Sequence, residues 1–241
     1  MRATSGQRSR SWRRPSLGSA RAAVPLVVLA CLALAGCAWS ASDPDEPVPP
    51  SDGATIAAFY GDSYTRGTGA TAPERRWSTI VCDERGWYEF NPSVDGLGFV
   101  NNRGLALEGD LVDQIVAHEP PPDIVIVTMG LNDNFSMPSR ADEIEAAIEE
   151  DLERFRTELP DARVVVVEPF WHQDDRPDSV EQIIEWVEAA AERVGADYID
   201  GASRWLEGHP EWMADDVIHP NDEGYAQIAE RMDAELEQLG L

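Results

Sequence analysis

The chain has 241 residues and a net charge of −26, from 45 acidic against 19 basic side chains, and every basic residue is an arginine. At 43% hydrophobic residues it can bury a core, which excludes a disordered chain. The acid excess excludes nucleic acid as a partner and a polybasic membrane patch on the folded part, since both need clustered Lys or Arg. Three cysteines are too few to frame a fold with disulfides.

Six of the arginines lie within the first 21 residues, and no acidic residue precedes Asp43. An apolar run follows over 22–35, short for a spanning helix and the right length for the core of a signal peptide. It ends in Leu34-Ala35-Gly36-Cys37, which resembles the lipobox of bacterial lipoproteins. That resemblance implies that the Cys37 thiol is diacylated and that cleavage leaves Cys37 as the first residue. Secretion with cleavage near Ala38, or an uncleaved anchor, are the alternatives, and Arg13-Arg14 leaves Sec and twin-arginine export both open. The expected location is outside the cytoplasm, with membrane contact through the lipid only. On this reading residues 1–36 are a signal peptide and 37–53 a flexible tether, rich in Ser, Asp and Pro (Pro44, Pro47, Pro49, Pro50). The folded domain spans 54–241. After cleavage thirteen arginines face 45 acids, a surface that favours a soluble monomer. Cys82 is then left without a disulfide partner in the domain and reads as a small buried hydrophobe.

Within the domain, apolar runs alternate with helical patterns. Residues 55–60 read as a short buried strand. Residues 74–84 read as a helix with Trp77, Ile80 and Val81 on one face, and 87–90 as a second strand. A helix over 110–118 precedes the strongest strand, 123–129. An amphipathic helix over 141–159, a strand over 163–168, a helix over 179–194, a short strand at 198–199 and a last helix over 221–239 complete the domain. Continuous β-branched runs separated by helices predict a parallel sheet covered on both faces, a three-layer α/β/α class. Ligands in such sheets bind beyond the carboxyl ends of the strands.

Three polar clusters fall there. Gly61-Asp62-Ser63-Tyr64 follows the first strand, where a glycine-assisted turn can present the serine hydroxyl outward. Gly130-Leu131-Asn132-Asp133 follows the strand at 123–129, where an asparagine N–H can donate to a developing oxyanion. Asp216-Val217-Ile218-His219-Pro220-Asn221 precedes the last helix. A carboxylate three residues before a histidine can hold one ring nitrogen while the other faces a site. A serine hydroxyl needs such a base near neutral pH, and the base needs an orienting acceptor. Asn221 reads as the cap of the last helix. Taken alone, the first two clusters read more readily as ordinary turns, and the third can be read as a turn followed by a helix cap.

Together, in the order Ser, Asn, Asp-x-x-His, they resemble the GDSL or SGNH hydrolase family. The matching residues are Gly61-Asp62-Ser63, Gly130-x-Asn132-Asp133 and Asp216-x-x-His219-Pro220-Asn221, spread from residue 54 to about 235. The G-x-S-x-G of α/β-hydrolases is missing from the sequence. The resemblance implies a flavodoxin-like fold and an ester hydrolase with no cofactor. It implies that Ser63 attacks the ester, His219 is its base and Asp216 orients His219, with Asp215 as rival orienter. The oxyanion would be held by the Ser63 N–H, the Asn132 side chain and a glycine N–H from the second block. Asn102-Arg103-Gly104, after Gly96-Leu97-Gly98-Phe99, resembles that block, which makes Gly104 the expected glycine and Gly109 its rival. Asp62 and Asp133 are expected to organise their loops rather than to do chemistry.

His118, His172 and His209 are scattered, and neither H-E-x-x-H nor a cysteine pair occurs, so no metal is expected. Pro169-Phe170-Trp171-His172 and Asn134-Phe135 are candidates for lining the substrate pocket, with core packing the alternative for Phe170 and Trp171. Trp186 reads as core, and Trp205 and Trp212 read as packing, with a sugar platform or a lid as their alternative. The expected activity is that of a serine esterase on short acyl esters, with a small-molecule or carbohydrate ester as substrate. A lipase, lysophospholipase, thioesterase or acyltransferase of the same fold is the alternative, and a non-catalytic surface binding protein is a rival from another class.

Overall fold

A computed structural model describes residues 50–241 except 52 and 106–108. The signal segment, Cys37 and nearly all of the expected tether lie outside the described residues.

Five parallel strands form the sheet: β1 (Ile56–Tyr60), β2 (Tyr88–Phe90), β3 (Ile124–Val127), β4 (Arg163–Val167) and β5 (Asp197–Ile199), in the order β2-β1-β3-β4-β5. Strand side chains alternate between two faces, and both are buried. Ala57, Phe59, Ile124, Ile126, Val165 and Val167 face one cluster, covered by α2 (Trp77–Arg85) and α6 (Asp222–Gln238). Ala58, Tyr60, Val125, Val127, Val164 and Val166 face the other, covered by α3 (Leu111–Val116), α4 (Ala141–Glu158) and α5 (Asp178–Val194). This is the expected three-layer α/β/α sandwich.

The predicted elements differ at their ends. The helix expected over 74–84 is a 3₁₀ turn, Pro73–Arg75, followed by α2. Pro73 starts the turn and Arg76, in extended conformation, ends it. With the helix restarted at Trp77, Val81 and Cys82 point inward with it and Ile80 is only partly buried. Cys82 is indeed a buried free cysteine. Asn221 caps α6, its side chain accepting from the Glu223 and Gly224 N–H groups.

The strand order places the site. Residues after β1 lead to α2 on one face and residues after β3 lead to α4 on the other, so the chain diverges at the carboxyl ends of β1 and β3. Register sets Tyr60 beside Val127. The turn after β1 and the turn after β3 therefore start as neighbours, and they carry Ser63 and Asn132.

Candidate active site

Ser63 opens a one-turn helix, α1 (Ser63–Arg66), directly after β1. Asp62 caps it, one carboxylate oxygen accepting from the Tyr64 N–H at 3.0 Å. A bond of 2.6 Å between the Thr65 and Thr128 hydroxyls fastens this turn to the end of β3. The Ser63 N–H has no acceptor among the described residues, so it is free to meet a ligand.

From the other end of the chain, the loop before α6 brings His219 to Ser63. His219 Nε2 lies 3.0 Å from Ser63 Oγ, and Nδ1 lies 2.7 Å from Asp216 Oδ2. The second Asp216 oxygen accepts from the backbone N–H groups of Ile218 and His219, both at 2.9 Å. This curl requires Val217 at φ +54°. The bond to His219, helped by the two backbone donors, lowers the Asp216 pKa to about 2, so it is an anion across the range in which a histidine titrates. Asp216, and not Asp215, is the partner of His219.

Asn132 stands on the cleft wall, but its amide points elsewhere than the sequence suggests. Nδ2 donates to Asp62 Oδ2 at 3.0 Å and to the Leu97 carbonyl at 2.9 Å, so both of its hydrogens have acceptors. Asp133 beside it accepts from the N–H groups of Phe99, Val100 and Asn101 at 2.7, 2.9 and 3.0 Å. Asp62 and Asp133 thus organise their loops, as expected. Both are buried, and burial, opposed by these hydrogen bonds, raises both pKa values, that of Asp62 to about 7.

The expectation for Gly104 is corrected. Gly104 lies in the short 3₁₀ turn Arg103–Leu105 and is not part of the cleft wall; Gly96 is. The reason is Arg103, whose guanidinium is drawn to the buried Asp151 at 2.7 Å and to Asp110, pulling that turn toward α4. Gly96 instead sits at φ +72°, and its N–H has no acceptor among the described residues. Its rival Gly109 does not line the cleft either. The signal that could have found Gly96 is distance from the strand. It lies six residues past the end of β2, while Gly104 lies well beyond.

The cleft has a volume of about 580 Å³. Leu131, Phe135, Trp171 and Ile218 give it apolar walls, and Asn134, His172 and Gln173 add polar groups. Phe135 and Ile218 are exposed at its mouth. Burial, with the nearby His219, lowers the His172 pKa, which favours the neutral form of this second imidazole. Phe170 belongs to the core, stacked on Tyr64 with ring centroids 5.6 Å apart. Trp205 packs on Phe170, Trp186 packs partly buried against α4's side of the sheet, and Trp212 stacks on His209. Among the described residues no three His, Cys, Asp or Glu side chains are placed to hold a metal ion.

A family model described as the GDSL-like Lipase/Acylhydrolase family matches residues 59–227. A GDSL lipase of Mycobacterium tuberculosis is 26% identical over 184 residues, covering 73% of this chain and 78% of that protein. The psychrotrophic esterase EstA of a Pseudoalteromonas species superposes with a TM-score of 0.61 at 16% identity, over 77% of this chain and 98% of that one. The carbohydrate acetylesterase Est24 of Sinorhizobium meliloti does so with a TM-score of 0.56 at 15% identity, over 77% of this chain and 99% of that one. At such identities the two structural likenesses concern the fold.

Proposed function

Because the chain belongs to the GDSL-like lipase/acylhydrolase family, a family of ester-hydrolysing enzymes, we propose that it is a serine esterase with Ser63 as nucleophile. The observation that carries this reading is the chain of contacts from Ser63 Oγ to His219 Nε2, at 3.0 Å, and from His219 Nδ1 to Asp216, at 2.7 Å.

In the proposed reaction Nδ1–H donates to Asp216, which leaves Nε2 as an acceptor for the serine proton. Ser63 Oγ attacks the ester carbonyl and its proton passes to His219. The carbonyl oxygen becomes an oxyanion, received by the free N–H groups of Ser63 and Gly96. Asn132 is the third donor in this proposal, sharing with the oxyanion a hydrogen that in the resting site faces Leu97 or Asp62. His219 returns the proton to the leaving alcohol, and an acyl-serine remains. Water, deprotonated by the same imidazole, releases the acid.

Short acyl esters of small molecules or carbohydrates are the proposed substrates, a reading supported by the buried, apolar Leu131 and Trp171 that line the same cleft as Ser63. Longer acyl chains are a second reading, favoured by the exposed Phe135 and Ile218 at that mouth. The test is hydrolysis of p-nitrophenyl esters from acetate to palmitate, with Ser63→Ala beside the wild type. Turnover that peaks at short chains and vanishes in the variant supports the first reading. A peak at long chains moves the assignment to a lipase, and equal rates in both proteins, each folded, remove the nucleophile assignment. For location we propose a lipid anchor at Cys37, supported by the Gly36-Cys37 junction after the apolar run. Release of Cys37→Ser from the membrane fraction into the medium is the expected outcome, and retention would overturn it.

A further inference from the structure

The motif Gly61-Asp62-Ser63-Tyr64 departs in its fourth place from the Gly-Asp-Ser-Leu that names the family. The departure has a partner across the fold. Tyr64 is fully buried, and its hydroxyl donates to the Ile218 carbonyl at 2.6 Å, 154 residues away and next to His219. Its ring packs between Phe170, at 5.6 Å, and His219, at 6.0 Å. Burial, with Asp62 and Asp216 nearby, raises its pKa, so the hydroxyl keeps its proton and stays a donor.

The loop it holds has few other ties. Residues 215–218 are exposed, and Val217 is in a left-handed conformation. Most hydrogen bonds of residues 214–219 are internal: Ala214 N–H to the His219 carbonyl, Val217 N–H to the Ala214 carbonyl, and the three to Asp216. Among the described residues only two hydrogen bonds reach this segment from the rest of the chain, and they come from Ser63 and Tyr64.

We propose that Tyr64 is a positioning residue that keeps His219 in place during deacylation, a role that rests on the serine-esterase reading above. In the free enzyme both tethers are present. Once Ser63 Oγ carries the acyl group it has no hydrogen to donate to Nε2, so that tether is lost. His219 must still take a proton from water as the water oxygen bonds to the acyl carbon, and then hand that proton to Oγ as the C–Oγ bond breaks. Through these events the Tyr64 hydroxyl is the remaining hydrogen bond from the sheet side to the loop. Acylation, which begins with the Ser63 tether intact, depends on it less.

The experiment compares full-length wild type, Tyr64→Phe and Tyr225→Phe in rapid-mixing assays with p-nitrophenyl acetate. The acylation constant is read from the p-nitrophenol burst and the deacylation constant from decay of the acyl-enzyme. Tyr225 is a control because its buried hydroxyl also donates to a carbonyl, that of Thr68, and makes no hydrogen bond to residues 214–219 among the described residues. In Tyr64→Phe, deacylation is expected to slow about five- to tenfold, one hydrogen bond of about 1–1.4 kcal/mol read as a rate, with acylation within about twofold. Added hydroxylamine, which attacks the acyl-serine with less help from a base, should restore more turnover to Tyr64→Phe than to wild type. Equal slowing of both constants, no change in either, or the same pattern in Tyr225→Phe overturns this inference alone. A Ser63→Ala enzyme as fast as wild type overturns the esterase reading and this inference with it.

Discussion

The carboxylate of Asp133 fills the space that a side chain on residue 98 would need. A Cβ placed on Gly98 would come within 2.5–2.6 Å of three Asp133 carboxylate atoms. The same carboxylate gathers the N–H groups of Phe99, Val100 and Asn101, so it is the anchor on which the loop carrying Gly96 is wound. Gly98→Ala is expected to destabilise the domain by about 1–3 kcal/mol, the range for overpacking a filled site, and to lower kcat through displacement of Gly96. Urea unfolding and ester hydrolysis check the two effects, and an unchanged unfolding midpoint would mean that the loop yields freely.

Gly96 and Gly104 should respond oppositely to alanine. At Gly96 the left-handed backbone makes alanine unfavourable by about 1–2 kcal/mol, and relief of that strain shifts an N–H proposed to face the oxyanion. At Gly104 an added methyl meets nothing within 4 Å, and Gly104→Ala should leave kcat unchanged. The comparison is made on steady-state rates of p-nitrophenyl acetate hydrolysis. A large loss at Gly104 with none at Gly96 would return the oxyanion role to Gly104.

Asn132→Ala is expected to lower kcat roughly 10²- to 10³-fold, as loss of one oxyanion donor does. Its resting bonds to Asp62 and Leu97 make a smaller structural effect inevitable as well. The thermal midpoint separates the two. A tenfold loss or less, together with a lowered midpoint, would leave Asn132 as a brace only.

Asp62 sets a pH dependence of stability. Burial raises its pKa from 3.8 to about 7, so the folded state prefers the protonated acid. The stability linked to that preference is full below about 3.8, declines as the pH rises to about 7, and changes no further above it. The isosteric Asp62→Asn cannot titrate. Relative to it, wild type should lose up to roughly 4 kcal/mol between these limits, and much less if water reaches the carboxyl. Denaturant unfolding of both proteins across that range is the check, and a flat difference would mean that Asp62 is ionised throughout.

Val217 is a β-branched residue with a positive φ, and its side chain is largely exposed. Asparagine tolerates this conformation far better. Val217→Asn is therefore expected to stabilise the domain by about 1 kcal/mol, visible as a higher thermal midpoint. A lower midpoint would show that contacts of the valine outweigh the strain.

Much of this site was legible in the order of residues because its signals are local. Ser63 follows a buried run at a glycine turn. Asp216 and His219 are three residues apart, which is enough for the carboxylate to reach Nδ1 within one loop. The parallel sheet follows from β-branched runs separated by amphipathic helices, a pattern imposed by burial on both faces. Gly104 was misplaced because a glycine's position in space is not local. It depends on Asp133 gathering residues 99–101 and on Arg103 being drawn to Asp151, contacts that span tens of residues.

By itself, then, the sequence indicated the fold class and the strand ends where chemistry gathers, because periodicity encodes them, while the Ser63, Asp216 and His219 cluster was picked out by the resemblance of three motifs, taken in order, to the GDSL family. The tertiary structure alone decided that Gly96 faces the cleft, that both Asn132 hydrogens already have acceptors, and that Tyr64 reaches the Ile218 carbonyl. Each of these is a hydrogen bond or a close approach between segments far apart in the chain. Such contacts are set by how loops pack over the sheet, which no short stretch of residues specifies.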